Sequence, residues 1–490
     1  TIFYKYAIDS GKTDSLFSVP AMMADVKISP DKKKALFTSI SSEAFHTSTS
    51  VEQSELAIYE IATGKQLYQI TKNHVYEEAN WLNSEELIGT VLGDIKATQY
   101  NIDQPQFFKY KLGDKDIQLQ KDSHAYIRKH ILQDAKIVLF NADLSTRNNF
   151  FTMDLSNQSI KPVSDFQGAV TYFEMASNSQ NIVFSMVTSD TFDEIYIAKN
   201  YKEFHKAKKI TSFNAKLSKM PKPIVEKIEW KNSDNETIEG ILIWPPNKKG
   251  ANNLPFAIDI HGGPWALRHE NISSVGLQYY YYGSFLASHG FLVLQPNYSG
   301  SVGRGDNFFK AINGKAITKP TDDILKGVEF LIAKGWIDEN KMLVMGASYG
   351  GVLTNAIIGK TNQFKLALSS CGNWSEMLGV INDNQLLTPI LFGHQTVWEN
   401  NDLYQKESAS HYIKNIRTPT LITFGQDDRR VPTVHGYAMY RALKAQNVPT
   451  ELILLPSEGH VYRKPSNMLT KVKIELYWIK KYLGIDIPTE

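Results

Sequence analysis

Roughly the first 220 residues show short runs of alternating apolar and polar positions, rich in β-branched and aromatic side chains and separated by polar turns. A period of two is typical of half-buried strands, and no long stretch in this half carries the 3.6-residue period of a helix. Strands are predicted at 34–38, 56–61, 136–140, 181–186 and 194–198. The pattern predicts that this half of the chain is all β.

A polar turn recurs through the same half. It occurs at 9–12, 62–65, 113–115, 154–157 and 200–202. Successive turns start roughly 40 to 55 residues apart, which is the length of one four-stranded propeller blade. The segments 29–31 and 177–179 lie where the inner hairpin of a blade would turn. The repeat predicts a β-propeller of four to five blades, with an irregular β-sandwich as the alternative.

The pattern of apolar and polar positions changes after a Lys- and Pro-rich stretch at 216–223. From there strand-like runs alternate with helical stretches, which is typical of a mostly parallel, doubly wound sheet covered by helices. Helices are predicted at 321–334, with Asp322 and Asp323 near its N-terminus, and at 433–446. Strands are predicted at 241–244, 256–260, 291–294, 342–345, 420–424 and 451–455. We therefore predict two domains, at 1–222 and 223–490.

One strand of the second half leads into a serine between glycines. The strand 342–345 is followed by Gly-Ala-Ser-Tyr-Gly-Gly at 346–351 and by an apolar helical stretch at 352–359. Strand, G-x-S-x-G and helix in this order form a nucleophile elbow, whose strained turn exposes the serine hydroxyl. The glycines let strand and helix approach each other closely. We therefore predict an α/β-hydrolase domain with Ser348 as its nucleophile.

Two later strands end in the groups that such a nucleophile requires. In the α/β-hydrolase order, an acid and then a histidine follow the serine. The strand 420–424 leads to Asp427 and Asp428, and the strand 451–455 leads to a Glu-Gly-His tripeptide that ends at His460. Active sites of parallel sheets collect at the carboxyl ends of the strands. His460 is the predicted general base, and either aspartate fits the role of the acid.

A tetrahedral intermediate also requires two hydrogen-bond donors. One is expected from the backbone N–H of Tyr349, directly after the nucleophile, and the other from the loop after the strand 256–260. That loop begins His-Gly-Gly-Pro-Trp. Because glycine lets the backbone approach a substrate, Gly262 and Gly263 are predicted oxyanion residues. His261 is a predicted side-chain contact, with a structural His-Gly turn as the alternative.

These motifs resemble the prolyl oligopeptidase family of serine peptidases, and most of all its acylaminoacyl-peptidase branch. The matching segments lie in family order between 223 and 490, at 261–264, 297–301, 336–338, 346–351, 425–432 and 458–460. In that family the acid is the third residue after the glycine of a Gly-x-x-Asp motif, so the resemblance implies Asp428. It also implies an N-terminal propeller that restricts access to the active site.

Three features depart from the family pattern. The family usually carries seven or eight blades, so this propeller is expected to be small or cut short at its N-terminus. Ser299 replaces an arginine of the family's Asn-Tyr-Arg-Gly-Ser motif. His261 stands where the dipeptidyl-peptidase branch has a tyrosine, and no paired-glutamate motif is evident in the β half. The resemblance therefore favours the other activities of the family over dipeptidyl peptidase activity.

Composition narrows the possible partners. The formal net charge is +2 with both signs interspersed, so neither nucleic acid nor a membrane surface is an expected partner. We expect the lone cysteine, Cys371, to exclude an internal disulfide framework and any cysteine-based zinc or iron-sulfur site, so no metal or cofactor is predicted. The first residue is Thr1, and we expect that an export signal, a tag or a longer segment preceded it. The predicted location is the cytoplasm, with the periplasm or secretion as alternatives.

The leading functional hypothesis is a serine peptidase that hydrolyses short peptides through an acyl-enzyme on Ser348, of the oligopeptidase or acylaminoacyl-peptidase type. A carboxylesterase with the same triad is the alternative, because fold and elbow do not choose between amides and esters. A propeller-based binding protein with a relic hydrolase domain is the third. The resemblance makes a homo-oligomer an open possibility.

Activity is expected to fall below about pH 6.5, where an unperturbed histidine protonates.

Overall fold

The computed structural model describes residues 2–18, 22–40, 54–70, 74–96, 99–119, 124–134, 136–176, 178–272, 280, 282–382 and 388–488. The chain divides into two compact units. The first comprises residues 1–142, 150–162 and 383–390, and the second comprises 143–149, 163–382 and 391–490. The domain boundary between residues 222 and 223 stays a prediction.

The N-terminal half consists of antiparallel β-meanders. Its strands are β1 Ile2–Ala7, β2 Lys12–Ser18, β3 Met22–Ile28, β4 Lys34–Ile40, β5 Ser54–Glu60, β6 Gln66–Gln69, β7 His74–Asn83, β8 Glu86–Lys96, β9 Gln99–Lys111, β10 Gln118–Leu119, β11 Tyr126–Leu132, β12 Ile137–Leu144, β13 Arg147–Asp154, β14 Ile160–Pro162, β15 Gly168–Met175, β16 Ile182–Thr188, β17 Glu194–Ala198 and β18 Lys208–Lys209. β1 pairs with β2, and β3–β6 and β7–β10 form separate four-stranded sheets. β11–β14 and β15–β18 belong to one eight-stranded sheet, in which β13 and β15 pair in parallel.

The recurring polar turn has a fixed place in this arrangement. The segments 62–65, 113–115, 154–157 and 200–202 each connect the third strand of a meander to the fourth, and 9–12 connects β1 to β2. The segment 29–31 joins β3 to β4, whereas residue 177 of the other predicted inner hairpin lies outside the described residues. Four-stranded meanders of this length are the blade unit of a propeller. The β half is therefore propeller-like, with four such meanders in the part of the chain that the structure describes.

Alternation of side chains explains how neighbouring meanders pack. Leu56 and Ile58 of β5 form a buried cluster with Leu87 of β8 and Phe108 of β9. Residues two apart point to the same face of a strand, so each sheet presents one apolar face to the next.

The C-terminal half is built on one eight-stranded sheet. Its strands are β19 Ile224–Lys231, β20 Thr237–Trp244, β21 Leu254–Ile260, β22 Leu292–Asn297, β23 Ile337–Ala347, β24 Leu366–Ser370, β25 Thr420–Gly425 and β26 Thr450–Leu455. The strand order is β19-β20-β22-β21-β23-β24-β25-β26. β19 and β20 pair in antiparallel fashion with their neighbours, and the remaining six strands are mutually parallel. The predicted mostly parallel sheet is confirmed.

Helices cover both faces of this sheet. The helices are α1 Gly283–Ser288, α2 Asp306–Lys310, α3 Thr318–Ala333, α4 Tyr349–Lys360, α5 Thr388–Leu391, α6 Asn401–Lys406, α7 Val434–Ala445 and α8 Pro465–Leu483, with 3₁₀ turns at Phe204–Lys206, Leu217–Lys219, Glu376–Ile381 and Ala409–Asn415. Val344 and Ile422 pack on the face covered by α3, α4 and α7. Their neighbours Leu343 and Leu421 pack on the face covered by α1 and α8. Burial on both faces explains why these strands are almost continuously apolar.

The parallel strands align their carboxyl ends at one edge of the sheet. β21, β23, β24, β25 and β26 are consecutive neighbours there. The segments that follow the ends of these five strands contain, respectively, His261, Ser348, Cys371, Asp428 and His460. Among the described residues, the structure contains no helix with the length and apolarity needed to cross a bilayer.

Candidate active site

Ser348 occupies a strained turn between β23 and α4. Its backbone angles are φ 57° and ψ −123°, a region that L-residues rarely adopt. A Cβ atom on Gly346 would lie 2.3 Å from the Gly350 carbonyl oxygen, and one on Gly350 would lie 2.2 Å from the Ile260 carbonyl oxygen. Glycine is therefore required on both sides of the serine. The turn presents the hydroxyl at the carboxyl edge of the sheet.

The three residues of the predicted triad meet at this edge. The His460 Nε2 atom lies 2.9 Å from Ser348 Oγ, and the His460 Nδ1 atom lies 2.8 Å from Asp428 Oδ2. The Asp428 side chain is fully buried, whereas that of His460 is 22% exposed. With Nδ1–H donating to the carboxylate, Nε2 is free to accept the serine proton.

The structure distinguishes between the two candidates for the acid, Asp427 and Asp428. Asp428 Oδ1 accepts a hydrogen bond from the Val431 N–H at 2.9 Å, which leaves Oδ2 to face His460. Asp427 is exposed, and its backbone N–H donates to the Glu458 carbonyl oxygen. The residue that the family resemblance implied is thus the one that contacts the imidazole.

The loop that carries His460 is held from both sides. The Glu458 carboxylate accepts hydrogen bonds from the N–H groups of Arg463 and Lys464 at 2.8 and 2.9 Å. Tyr280 donates its hydroxyl to the His460 carbonyl oxygen at 2.6 Å. These contacts fix the backbone of His460 independently of the relay, so the imidazole is preorganised to face Ser348.

The surroundings of His460 shift its pKa. Burial of the imidazole lowers the pKa, but the interaction with Cys371 and the hydrogen bond and charge of Asp428 raise it by more. The net result is a pKa above the ordinary histidine value. The expected loss of activity near pH 6.5 assumed an unperturbed ring, so this shift moves the loss to higher pH.

This shift predicts the direction of a pH profile. A general base works when it is neutral, so kcat/KM is present above the pKa of His460 and is lost as the pH falls through it. Replacing Cys371 with serine removes the interaction with the Cys371 sulfur that raises this pKa. We expect the acid limb of log kcat/KM against pH to move to lower pH in Cys371→Ser. An acid limb that stays in place, or moves up, contradicts the assigned cause.

The loop after β21 lies directly against the elbow. The Ile260 and His261 carbonyl oxygens lie 2.2 and 2.9 Å from where a Cβ on Gly350 would be. Gly263 has φ +131°, and a Cβ there would lie 2.7 Å from the Trp265 nitrogen. The start of the predicted oxyanion loop therefore lies beside the N-terminus of α4, which begins at Tyr349. The first N–H groups of a helix have no partner within the helix.

The His261 side chain does not point into the site. Its ring is 3% exposed and stacks on Tyr298 with 4.3 Å between the ring centroids. Its Nδ1 lies 2.7 Å from the Gly262 carbonyl oxygen, and its Nε2 lies 3.1 Å from Ser301 Oγ. Burial and the positive charge of Arg268 lower the pKa of His261 to about 3, so the ring is neutral. The residue supports the loop from behind and makes no side-chain contact of the kind that the sequence suggested.

Comparison with known proteins agrees with this geometry. Residues 278–486 match the model of the prolyl oligopeptidase family. This match includes Ser348, Asp428 and His460, so the part of the chain that carries the triad is similar to the prolyl oligopeptidase family.

Two curated relatives of this chain have different activities in their names. The acylamino-acid-releasing enzyme of Rattus norvegicus is 29% identical over 54% of this chain and 36% of its own length. The dipeptidyl aminopeptidase BIII of Pseudoxanthomonas mexicana is 30% identical over 52% of this chain and 38% of its own length. The chain thus spans less than half the length of the curated relatives that it matches.

A solved structure extends the likeness in fold to nearly the whole chain. A puromycin-hydrolyzing peptidase of Mycobacterium tuberculosis superposes with a TM-score of 0.77 at 15% identity, covering 98% of this chain and 72% of that one. At this identity the likeness shows the fold alone. The fold of this chain is therefore a β-rich N-terminal part followed by an α/β-hydrolase half.

Some residues at the site make contacts that the sequence does not predict. Tyr280 belongs to a run of four tyrosines, of which 279 and 281 lie outside the described residues, and the run gave no sign of a contact with His460. Tyr298 and Ser301 lie in a segment that matched the family motif, and this match was the available signal. From the sequence, Cys371 stands out as the one cysteine of the chain, and nothing predicts that it lies beside the triad.

Tyr280 is a positioning residue, and its removal has a measurable consequence. Tyr280→Phe keeps the ring and deletes the hydrogen bond to the His460 carbonyl oxygen. A lost hydrogen bond of roughly 1.4 kcal/mol, expressed in the transition state, lowers kcat by about tenfold. Because Tyr280 acts through the backbone of His460, KM should change little. A raised KM at unchanged kcat contradicts the positioning role.

Proposed function

We propose that this chain is a serine peptidase that hydrolyses short peptides through an acyl-enzyme on Ser348. The observation that carries the proposal is the continuous relay from Ser348 through His460 to Asp428, with contacts of 2.9 and 2.8 Å. The strained elbow and the adjoining glycine loop support it. Nucleophile, base, orienting acid and candidate oxyanion donors then occupy one edge of one sheet.

The proposed reaction proceeds in two halves. His460 Nε2 takes the proton from Ser348 Oγ as this oxygen attacks the carbonyl carbon of the substrate. The N–H groups of Tyr349 and of Gly262 or Gly263 stabilise the resulting oxyanion. The imidazolium then gives its proton to the leaving amine, which departs as the C–N bond breaks. Water, activated by the same imidazole, hydrolyses the acyl-enzyme.

The relatives support peptides as the substrate class. Their names describe the release of acylamino acids and of dipeptides, both of which are short units cut from peptide ends. The proposed substrates are short peptides in the manner of an oligopeptidase or an acylaminoacyl peptidase. Cytoplasmic location and homo-oligomer formation stay predictions, as does the absence of nucleic-acid and membrane partners.

A substrate panel tests the proposal. Rates on acyl-alanine, acyl-phenylalanine and prolyl amides are measured beside rates on simple esters with the same leaving group. We expect turnover of at least one amide class, abolished by Ser348→Ala. Turnover of esters alone identifies a carboxylesterase. Failure of a fluorophosphonate probe to label the chain argues for the relic hydrolase domain.

A further inference from the structure

A group of potential metal ligands lies within the catalytic relay. Cys371, Asp428 and His460 each offer one ligand atom, and these three atoms lie within 4.8 Å of one another. They come from the carboxyl ends of three consecutive strands, β24, β25 and β26. Cys371 and Asp428 are buried, whereas His460 is partly exposed. Neighbouring parallel strands thus bring together three ligands that lie far apart in the sequence, so no motif spacing predicts the cluster.

The backbone holds Cys371 in this position. The residue is fully buried and has φ +39°, and its N–H donates to the Thr423 carbonyl oxygen at 2.8 Å. Its Sγ lies 3.6 Å from the Tyr280 hydroxyl, the same group that fixes the His460 backbone. Thiol and imidazole are therefore tied to the same scaffold. The backbone therefore positions the thiol without the help of a metal ion.

The ligand set has the chemistry of a zinc site. Thiolate, imidazole and carboxylate are the three ligand types that Zn²⁺ takes, at about 2.3, 2.0 to 2.1 and 2.0 to 2.2 Å. Tetrahedral coordination at these lengths separates ligand atoms by roughly 3.3 to 3.6 Å, which is within the span of this cluster. Three protein ligands leave the fourth position open to water.

We propose that Cys371, Asp428 and His460 form an inhibitory binding site for a thiophilic divalent cation, with Zn²⁺ as the biological candidate. Binding removes the proton from the Cys371 thiol to solvent and forms metal bonds to sulfur, to a ring nitrogen and to a carboxylate oxygen. Two negative ligands neutralise the ion. Inhibition by the metal rests on the proposed function, because the bound metal makes the general base, His460, unavailable.

The relay explains why such binding would stop catalysis. The Nδ1–Oδ2 distance of 2.8 Å between His460 and Asp428 has to open for a metal bound at Nδ1 to sit between these atoms, which ends the hydrogen bond that orients the ring. If the metal takes Nε2 instead, the lone pair that accepts the Ser348 proton is lost. Either geometry disables the base, so one bound ion suffices.

The same chemistry predicts which ions act. Mg²⁺ and Ca²⁺ require six or more oxygen ligands, which this cluster does not supply, whereas Cd²⁺ and Co²⁺ bind thiolate and imidazole as Zn²⁺ does. We expect Zn²⁺ and Cd²⁺ to inhibit peptide hydrolysis, with recovery on adding a chelator. Mg²⁺ and Ca²⁺ at equal concentration serve as the matched controls.

Binding is tested directly on the full chain in the Ser348→Ala variant, which keeps all three ligands. Cd²⁺ or Co²⁺ is titrated while the thiolate-to-metal charge-transfer absorption is recorded. The chain has one cysteine, so any such band reports Cys371. We expect a band that saturates at one ion per chain. Because this readout needs no turnover, it stands or falls separately from the peptidase assignment.

Two ligand variants complete the test. Cys371→Ser in the Ser348→Ala background is expected to abolish the band, and Asp428→Asn to weaken the apparent affinity while keeping the band. Circular dichroism and thermal unfolding establish that each variant is folded. Absence of the band in the Ser348→Ala protein overturns the proposal. Zn²⁺ inhibition that persists unchanged in active Cys371→Ser also overturns it.

Discussion

Ser348→Ala is expected to lower kcat on a peptide amide on the order of a millionfold, the scale found when the nucleophile of a serine protease triad is removed. The hydroxyl is the atom that forms the acyl-enzyme, and it lies 2.9 Å from the base. A residual acceleration of roughly 10³-fold to 10⁴-fold over water, from substrate binding and the oxyanion donors, is expected to remain. Active-site titration and single-turnover rates measure the effect.

The change is small in size, so folding should survive it. Thermal unfolding of Ser348→Ala should match the parent protein, and fluorophosphonate labelling should disappear. Ser466→Ala is the matched control, because Ser466 is an exposed serine at the start of α8. It should label and turn over like the parent. Retention of amide hydrolysis in folded Ser348→Ala would end the assignment of the nucleophile.

Asp428→Asn is expected to lower kcat by roughly 10⁴-fold with the site geometry kept. The amide is nearly isosteric with the carboxylate but does not stabilise the imidazolium that forms when His460 takes the serine proton. Its N–H₂ group also favours the tautomer in which Nδ1 lacks a proton and Nε2 cannot accept one. Steady-state kinetics above the pKa of His460 measure the loss.

The neighbouring carboxylate provides the control for this variant. Asp427→Asn makes the same chemical change one residue away, on an exposed side chain whose backbone N–H keeps its partner. We expect kcat within about threefold of the parent, since surface substitutions away from a site are close to neutral. The reverse ranking of the two variants would reassign the acid to Asp427.

Much of the catalytic half could be predicted from local pattern. Apolar runs bounded by turn residues located β21, β23, β25 and β26, because strands buried on both faces must be apolar at nearly every position. The pattern missed β24, which spans only Leu366–Ser370, and it began α3 three residues late. Asp323 consequently lies in the second turn of α3, where its carboxylate accepts hydrogen bonds from Ser299 N and Asn232 Nδ2. Short strands and helix starts are set by such tertiary contacts.

The repeat in the β half was weaker evidence, yet it located real structure. The polar turns marked the connection between third and fourth strands, because this turn needs glycine or small polar residues at fixed offsets. The strand pairing itself could not be derived, since partners of an antiparallel ladder are defined by register rather than composition.

By itself the sequence determined the elbow around Ser348, the order of serine, acid and histidine, and the mostly parallel sheet that carries them. These follow from local rules, in which glycine spacing, apolar runs and strand-end positions are readable without knowledge of distant residues. Only the tertiary structure decided that the Asp428 side chain is the one that contacts His460, that the His261 ring is buried, and that Cys371 lies near Asp428 and His460. Each of these depends on which side chains meet across neighbouring strand ends, and strand order is a property of the folded sheet alone.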